Sequence, residues 1–375
     1  MFFIPAIAAF GEKAAFKGDP AVNGRRSEAL LLWFSVWLGL TIFIGFRYEV
    51  GGDWFNYFHF LRDVQGLEFR DVMSKPDPSY QLLNWVSDGL GWNIFGVNVV
   101  GAGLFAFGLL EFCRNQPRPW LALTAAIPYL VIVVAMGYTR QGIALGIIMI
   151  GLVALQEGSP LKFIFLVGIA ATFHKSAVLL IPVAALANSR NRYLTMFLAV
   201  VTVIVLYVLL ISNEADALYT NYIVKQYQSE GALVRLSMNA IAAGILLMFR
   251  FRLGFTRQQY HLWVWFSIIS LALLGAYAFT PASTALDRVA LYLLPLQIVI
   301  SSRAPSLFVR HGGEKEMDGA IIRRNLSGEA HQHFLSNQGN VVVLVLIVLY
   351  WGIVQFTWLN FANNAFYWVP YKLYL

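Results

Sequence analysis

Strongly apolar runs recur along the chain at 28–46, 93–113, 119–138, 141–156, 160–173, 175–188, 193–212, 233–249, 259–279, 286–302 and 340–359, each bounded by a short polar stretch. Runs of about 17 to 25 apolar residues can cross a bilayer as helices. The pattern therefore predicts an all-α, polytopic membrane bundle, with residues 1–375 forming a single transmembrane domain. It predicts eleven membrane helices, or twelve if residues 1–16 also cross. The runs at 141–156, 160–173 and 175–188 are short for a full span, which points to helices that end in a recess or a thinned bilayer. The opening MFFIPAIAAF has no basic residue before it and no small-residue cleavage site after it, so an interfacial or half-inserted segment is expected rather than a cleaved signal peptide.

Charge gives the bundle a direction, because Lys and Arg favour cytoplasmic connections. If residues 1–27 are inside, the inner connections include RNQPRP, NSRNR, RFRLGFTR and the long segment 303–338, and hold 17 basic against 9 acidic residues. The outer connections then hold 10 basic and 11 acidic residues, and the two sides add to the formal net charge of +7. The basic balance thus follows from topology, and a nucleic-acid partner is not expected. Composition agrees. Apolar residues make up 58% of the chain and charged ones 13%, about half the share found in soluble domains, and mean hydropathy is +0.63. One cysteine, Cys113, excludes an internal disulfide.

The outer side carries the candidate chemistry. It comprises the loop 47–92, the junctions MGYTRQG and TFHKSA, the loop from Ser212 to Arg235, the junction FTPASTALDR and the tail from Asn360. Arg47, Asp53, Arg140, His174, Lys175, Arg235 and Arg288 stand there at helix ends. Arginines at helix ends often only snorkel to head groups, and Arg62, Arg70, Lys75 and Lys225 read that way. Arg140 and His174 differ, since almost no loop separates the apolar runs on either side of them. Ionisable groups at such depth mark functional sites by default. The adjacent pair Asp287 and Arg288 allows a local ion pair, and Asp53 after Gly51 and Gly52 allows a plain turn residue.

Aromatic residues crowd the stretch WFNYFHF, residues 54 to 60, where Trp54, Phe55, Tyr57, Phe58 and Phe60 offer faces for pyranose rings or form an interfacial belt. Apolar residues at 82, 83, 86 and 90 predict an amphipathic helix lying on the membrane surface and roofing the site. The inner segment 303–338 reads as a flexible polar loop. The chain has no phosphate-binding glycine loop, no zinc-type His/Cys cluster and no Asp-x-Asp in the outer loops. No metal or cofactor is expected.

The motif RYEVGGDWFNY, with Arg47, Gly51, Asp53 and Tyr57, resembles a signature of the EpsG-like, Wzy-type bacterial polysaccharide polymerases. Four further pieces match in order: PDPSYQLLNWV (Asp77, Pro78, Tyr80), YTRQGIALG (Tyr138, Arg140, Gln141), FHKSAVLLIP (His174, Lys175, Ser176) and LDRVALYLLP (Arg288, Tyr292). The resemblance covers residues from about 30 to 300. It implies a glycosyltransferase of GT-C-like architecture in the bacterial inner membrane, with its active site facing the periplasm. That enzyme would join oligosaccharide repeat units linked to undecaprenyl pyrophosphate, passing the growing chain to a hydroxyl of the incoming unit. The implied partners are that lipid-linked oligosaccharide, membrane lipids, and flippase and chain-length regulator proteins.

On this resemblance the catalytic candidates are Asp53, His174, Arg47, Arg140 and Arg288. The substrate-binding candidates are Tyr57, Trp54, Asp77, Tyr80, Tyr138, Gln141, Lys175, Arg235 and Tyr292. Arginine forks suit a pyrophosphate leaving group, because they hold phosphate oxygens bidentately and keep their charge. Asp53 is favoured as acceptor base or binder and His174 as pyrophosphate or base group. Two other classes stay open. A transporter of lipid-linked sugars would place ionisable residues near the midplane of an inverted repeat, and a membrane acyltransferase would need a catalytic histidine.

Overall fold

The computed structural model describes residues 1–12, 30–183, 231–279, 283–308 and 326–374, together with positions 193, 197, 200, 201 and 204. The expected span 193–212 falls almost wholly outside the described residues.

The chain begins with α1 (Phe3–Phe10) and α2 (Leu30–Gly45). Three short helices follow, α3 (Trp54–Arg62), α4 (Phe69–Met73) and α5 (Pro78–Gly89). Next come α6 (Asn93–Arg114) and α7 (Pro119–Ala126), which continues into a π-helical stretch at Ile127–Ala135. Helices α8 (Thr139–Gln156) and α9 (Pro160–Phe173) lead into a 3-10 turn at Lys175–Leu180. The second half holds α10 (Ala232–Phe249), α11 (Arg257–Tyr277), α12 (Ser283–Leu291), α13 (Pro295–Arg303) and α14 (Leu326–Phe361).

Among the described residues five helices are long and apolar enough to cross a membrane: α6, α8, α10, α11 and the 340–361 part of α14. Residues 30–45, 119–135 and 160–173 form shorter apolar helices. The chain is an all-α, multi-pass membrane protein.

The described residues therefore hold fewer continuous spans than the eleven or twelve apolar runs. The run 286–302 is two helices, because Pro295 has no N–H to continue the ladder and Tyr292, Leu293 and Leu294 turn back with three-residue bonds. The run 175–188 opens as a 3-10 turn. At the N-terminus α1 has only 8 residues, too few to cross. The segment expected to be a loop to residue 338 is already helical from Leu326.

Helix α8 is the buried axle of the bundle, with α6 on one side and α9 on the other. Two glycines let α6 and α8 touch backbone to backbone. A Cβ on Gly108 would lie 1.9 Å from the Gly146 carbonyl oxygen, and one on Gly146 would lie 2.7 Å from Phe105 Cα. Small residues at such crossings are how membrane helices gain close packing.

The two ends of the bundle differ. At one, Arg303 donates to the Leu253 and Gly254 carbonyls, Gly158 lies against Gln258, and Arg118 donates to the Glu12 carbonyl. At the other end the C-termini of α2 and α9, the N-termini of α6 and α8, and helices α3 to α5 come together around residues 44–53, 77–80, 139–141 and 172–175. Among the described residues, successive connections thus alternate between the two ends.

Helix α5 is amphipathic as expected, with its polar face turned to the bundle. Tyr80, Gln81, Asn84 and Ser87 are buried, while Val86 and Leu90 are exposed. A helix of a soluble protein buries its apolar stripe. Here the polar stripe faces the bundle and the apolar one faces outward, as contact with lipid would favour.

Candidate functional site

Asp77 is the centre of the polar end. It caps the N-terminus of α5 in the left-handed region, φ 53° and ψ 59°, directly before Pro78. That conformation is uncommon outside glycine, although Asp tolerates it better than most residues, and such strain clusters at functional positions. The carboxylate is buried, yet it accepts from Arg140 Nη1 at 2.7 Å and from the Lys175 backbone N–H at 3.1 Å. A bond from the Ser79 hydroxyl to Thr172 Oγ1, 2.7 Å, ties the start of α5 to the end of α9 and holds Asp77 in place.

Arg140 sits in the first turn of α8, whose positive dipole end adds to its charge. Its guanidinium lies 4.3 Å from the Phe60 ring centroid and 5.9 Å from that of Tyr80, and its side chain keeps 27% exposure. His174 breaks α9 with an extended backbone. Its Nδ1 is 3.9 Å from Asp77 Oδ2, too long for a hydrogen bond, and neither ring nitrogen has a partner among the described residues. Burial pushes the His174 pKa below the ordinary histidine value, helped by Arg140 and Arg288 and opposed by Asp77. For Asp77, burial acts upward, but the His174 ring, Arg140 and the Lys175 N–H outweigh it and the carboxyl is held below its ordinary value. The direct contacts from Arg140 and Lys175 account for that better than an imidazole at 3.9 Å.

Arg288 completes the cluster. The local pair with Asp287 does not form. Asp287 instead takes both forks of Arg235, which also reaches the Tyr129 hydroxyl. Gln141 Nε2, from the residue after Arg140, donates to the Arg288 carbonyl at 3.0 Å, and Asn239 Nδ2 donates to the Ala290 carbonyl at 2.9 Å. Helix α12 is thus fixed while the Arg288 guanidinium, half-buried, has no ion-pair partner among the described residues and its Nε is unbonded. Tyr292 is fully buried and shares a 3.1 Å contact with the Ser176 hydroxyl.

Arg47 is placed differently from the other candidates. It is 1% exposed, and its donors go to Val50 O at 3.2 Å, Ile44 O at 2.7 Å, Asn98 Oδ1 at 3.1 Å and Thr139 Oγ1 at 2.8 Å. These bonds lock the end of α2 and the loop after it to α6 and α8, and leave the guanidinium no face for a phosphate. Trp54 and Tyr57 also turn inward, Trp54 lying 5.7 Å from Arg47 and Tyr57 against Tyr80 at 6.1 Å, whereas Phe55 points out. Asp53 is half-buried at the head of α3 and, among the described residues, accepts only from Asn56 Nδ2, at 3.3 Å. Tyr138, half-buried, lies within electrostatic reach of Asp53 on one side and of Arg235, Asp287 and Arg288 on the other.

The sequence model of the EpsG family matches residues 30–312, three quarters of the chain. The chain belongs to the EpsG family. Membership brings a polysaccharide-polymerase-like role and covers every candidate from Arg47 to Tyr292. No curated protein and no solved structure matches the chain.

Among the described residues no group of three or more His, Cys, Asp and Glu side chains is placed to hold a metal ion. Two features were beyond sequence reasoning. Asp77 reads there as one binder among many, although its position before a proline and at the start of a helix is a signal of special backbone. Asn98 and Thr139, which hold Arg47, are ordinary helix residues to the eye and become visible only through their contacts.

Proposed function

We propose that this chain is the lipid-linked polymerase of a bacterial polysaccharide, transferring the growing chain from undecaprenyl pyrophosphate to a hydroxyl of the incoming lipid-linked unit at the periplasmic face of the inner membrane. The observation that carries the reading is Arg288, a fixed arginine with no anionic partner among the described residues, beside a cluster in which the Asp77 carboxylate accepts from the Arg140 guanidinium and from the Lys175 backbone N–H. Two guanidinium groups, Arg140 and Arg288, against the one carboxylate of Asp77 leave an excess of positive charge among the described residues. A pyrophosphate diester, with one negative charge per phosphate, supplies the missing balance, and arginine forks match its oxygens.

In this mechanism the acceptor hydroxyl attacks the anomeric carbon of the donor's first sugar. The bond from that carbon to the pyrophosphate oxygen breaks, and lipid pyrophosphate leaves with the electron pair. Arg140, Lys175 and Arg288 stabilise the charge that develops. Asp53, outside the cationic cluster and free of any ion pair among the described residues, takes the hydroxyl proton. His174, neutral at pH 7 because burial disfavours its charged form, contacts the departing phosphate.

Purified protein in nanodiscs, given a lipid-linked repeat unit, is expected to produce a ladder of longer lipid-linked chains. Movement of the unit across the bilayer without elongation would instead identify a transporter and defeat the reading.

A further inference from the structure

The last residues of the chain lie beyond the family match, yet they lace the loop that carries Asp53. After α14 the chain turns through a 3-10 turn at Ala365–Tyr367 and runs back over the end of α2. Three backbone hydrogen bonds join it to residues 46–51, two of them flanking an antiparallel bridge. Gly51 N–H donates to the Tyr367 carbonyl at 2.9 Å, Tyr48 N–H to the Lys372 carbonyl at 2.9 Å and Tyr374 N–H to the Phe46 carbonyl at 2.8 Å, the last two making Arg47 and Leu373 a bridge pair.

Side chains fasten the same segment. Tyr371 donates its hydroxyl to the Phe43 carbonyl at 2.5 Å and stacks on the Phe43 ring, and Tyr374 stacks on Phe95 at 4.5 Å. Trp368, 6% exposed, donates Nε1 to the Ile132 carbonyl at 2.7 Å, inside the π-helical stretch. Wider helical turns of this kind release carbonyls from regular bonding and recur at functional sites.

Sterics make the loop's position depend on this packing. Gly51 has φ 106°, and a Cβ there would lie 2.4 Å from the Met136 carbonyl oxygen. A Cβ on Gly137 would lie 2.7 Å from the Trp368 ring. The loop, the 136–137 corner and the tail therefore close on one another with no room to spare, and Asp53 follows two residues later.

We propose that residues 362–374 act as a strap that positions Asp53, by holding the Gly51–Gly52 turn against the corner before Tyr138. The strap does not touch the reacting groups. Its role in turnover rests on the function of Asp53 proposed above, but its role in ordering α3 does not.

Two readouts keep those apart. A chain ending at Phe361, and the milder Trp368→Phe in the full chain, are compared with the parent protein in nanodiscs by hydrogen exchange over residues 54–62, whose amides make no bond to the tail. Loss of the strap should raise exchange there by about tenfold, the factor given by one lost hydrogen bond of ordinary net worth. Polymer formation should fall in kcat with little change in KM for the lipid-linked unit, and Trp368→Phe should fall between parent and truncation. Unchanged exchange over 54–62 in the truncated chain would overturn the strap, whatever the activity. Faster exchange with full polymerisation would overturn its positioning of Asp53. If the parent protein makes no polymer, the function proposed above fails and the exchange measurement alone decides the strap.

Discussion

Asp77→Asn is the most informative single change. The substitution keeps the shape of the side chain and removes its charge. In the structure that carboxylate is 3% exposed and takes one bond from a guanidinium and one from a backbone N–H. Removing one partner of a fully buried ion pair costs about 3 to 5 kcal/mol. Arg140 keeps 27% side-chain exposure, so water replaces part of what is lost and the lower range for a hydrogen bond to a charged group applies, about 1.5 to 3 kcal/mol. A loss of about 2 kcal/mol in positioning Arg140 lowers kcat/KM roughly thirtyfold. The amide also turns an N–H toward either Arg140 or the Lys175 N–H, so one of the two bonds becomes a repulsion. The assay is ladder formation by purified protein in nanodiscs, with thermal melting of the same preparations to confirm that the variant is folded. Polymerisation within twofold of the parent by a folded Asp77→Asn protein would refute the view that this carboxylate organises the site.

Arg288→Lys keeps the charge and loses the fork, so it should cost at least about tenfold in polymer formation while the protein stays folded; parental rates would mean that the residue acts only as a point charge. The pH profile should show an acid limb below about 6.5, because the folded-state pKa of His174 lies under the ordinary value and the neutral ring persists as pH falls through 6.5. The same displacement makes the fold lose stability as pH drops below 6.5, and His174→Ala should remove that dependence in melting curves taken from pH 5 to 8. Arg235→Met leaves the Asp287 carboxylate buried, which should cost about 3 to 5 kcal/mol in denaturant titrations, while Arg235→Met with Asp287→Leu should recover most of the loss. Failure of the double variant to recover would show that α12 depends on the charge pair itself.

How much of this was legible in the sequence varied with the kind of fact. Arg140, His174 and Arg288 stand out because they interrupt apolar runs, and water or a partner must exist wherever a charge does. Their shared end of the bundle follows from counting spans, even though the number of continuous helices does not. The Arg235 and Asp287 pair was hidden, since neighbours on a helix do not face each other and Asp287 finds its partner 52 residues earlier. Asp77 was under-read for a similar reason: its contacts are 63 and 98 residues away, and no local pattern encodes them. The apolar stripe of α5 was found by periodicity, but which of its polar residues pack on the bundle was not, because a hydrophobic pattern marks a stripe without naming what covers the other face.

The four bonds of Arg47 have a mechanical consequence. A slide of α8 by one residue would move Thr139 by about 1.5 Å along the axis and break its bond to that guanidinium, and α6 is pinned to the same point through Asn98. The central helices thus form a rigid floor. Helices α3 to α5 rest on it through a polar face where Tyr80 Oη, Gln81 Oε1 and Asn84 Oδ1 have no partners among the described residues. Whatever gap a bulky lipid-linked sugar needs on its way in, the roof is the part of the molecule that can give.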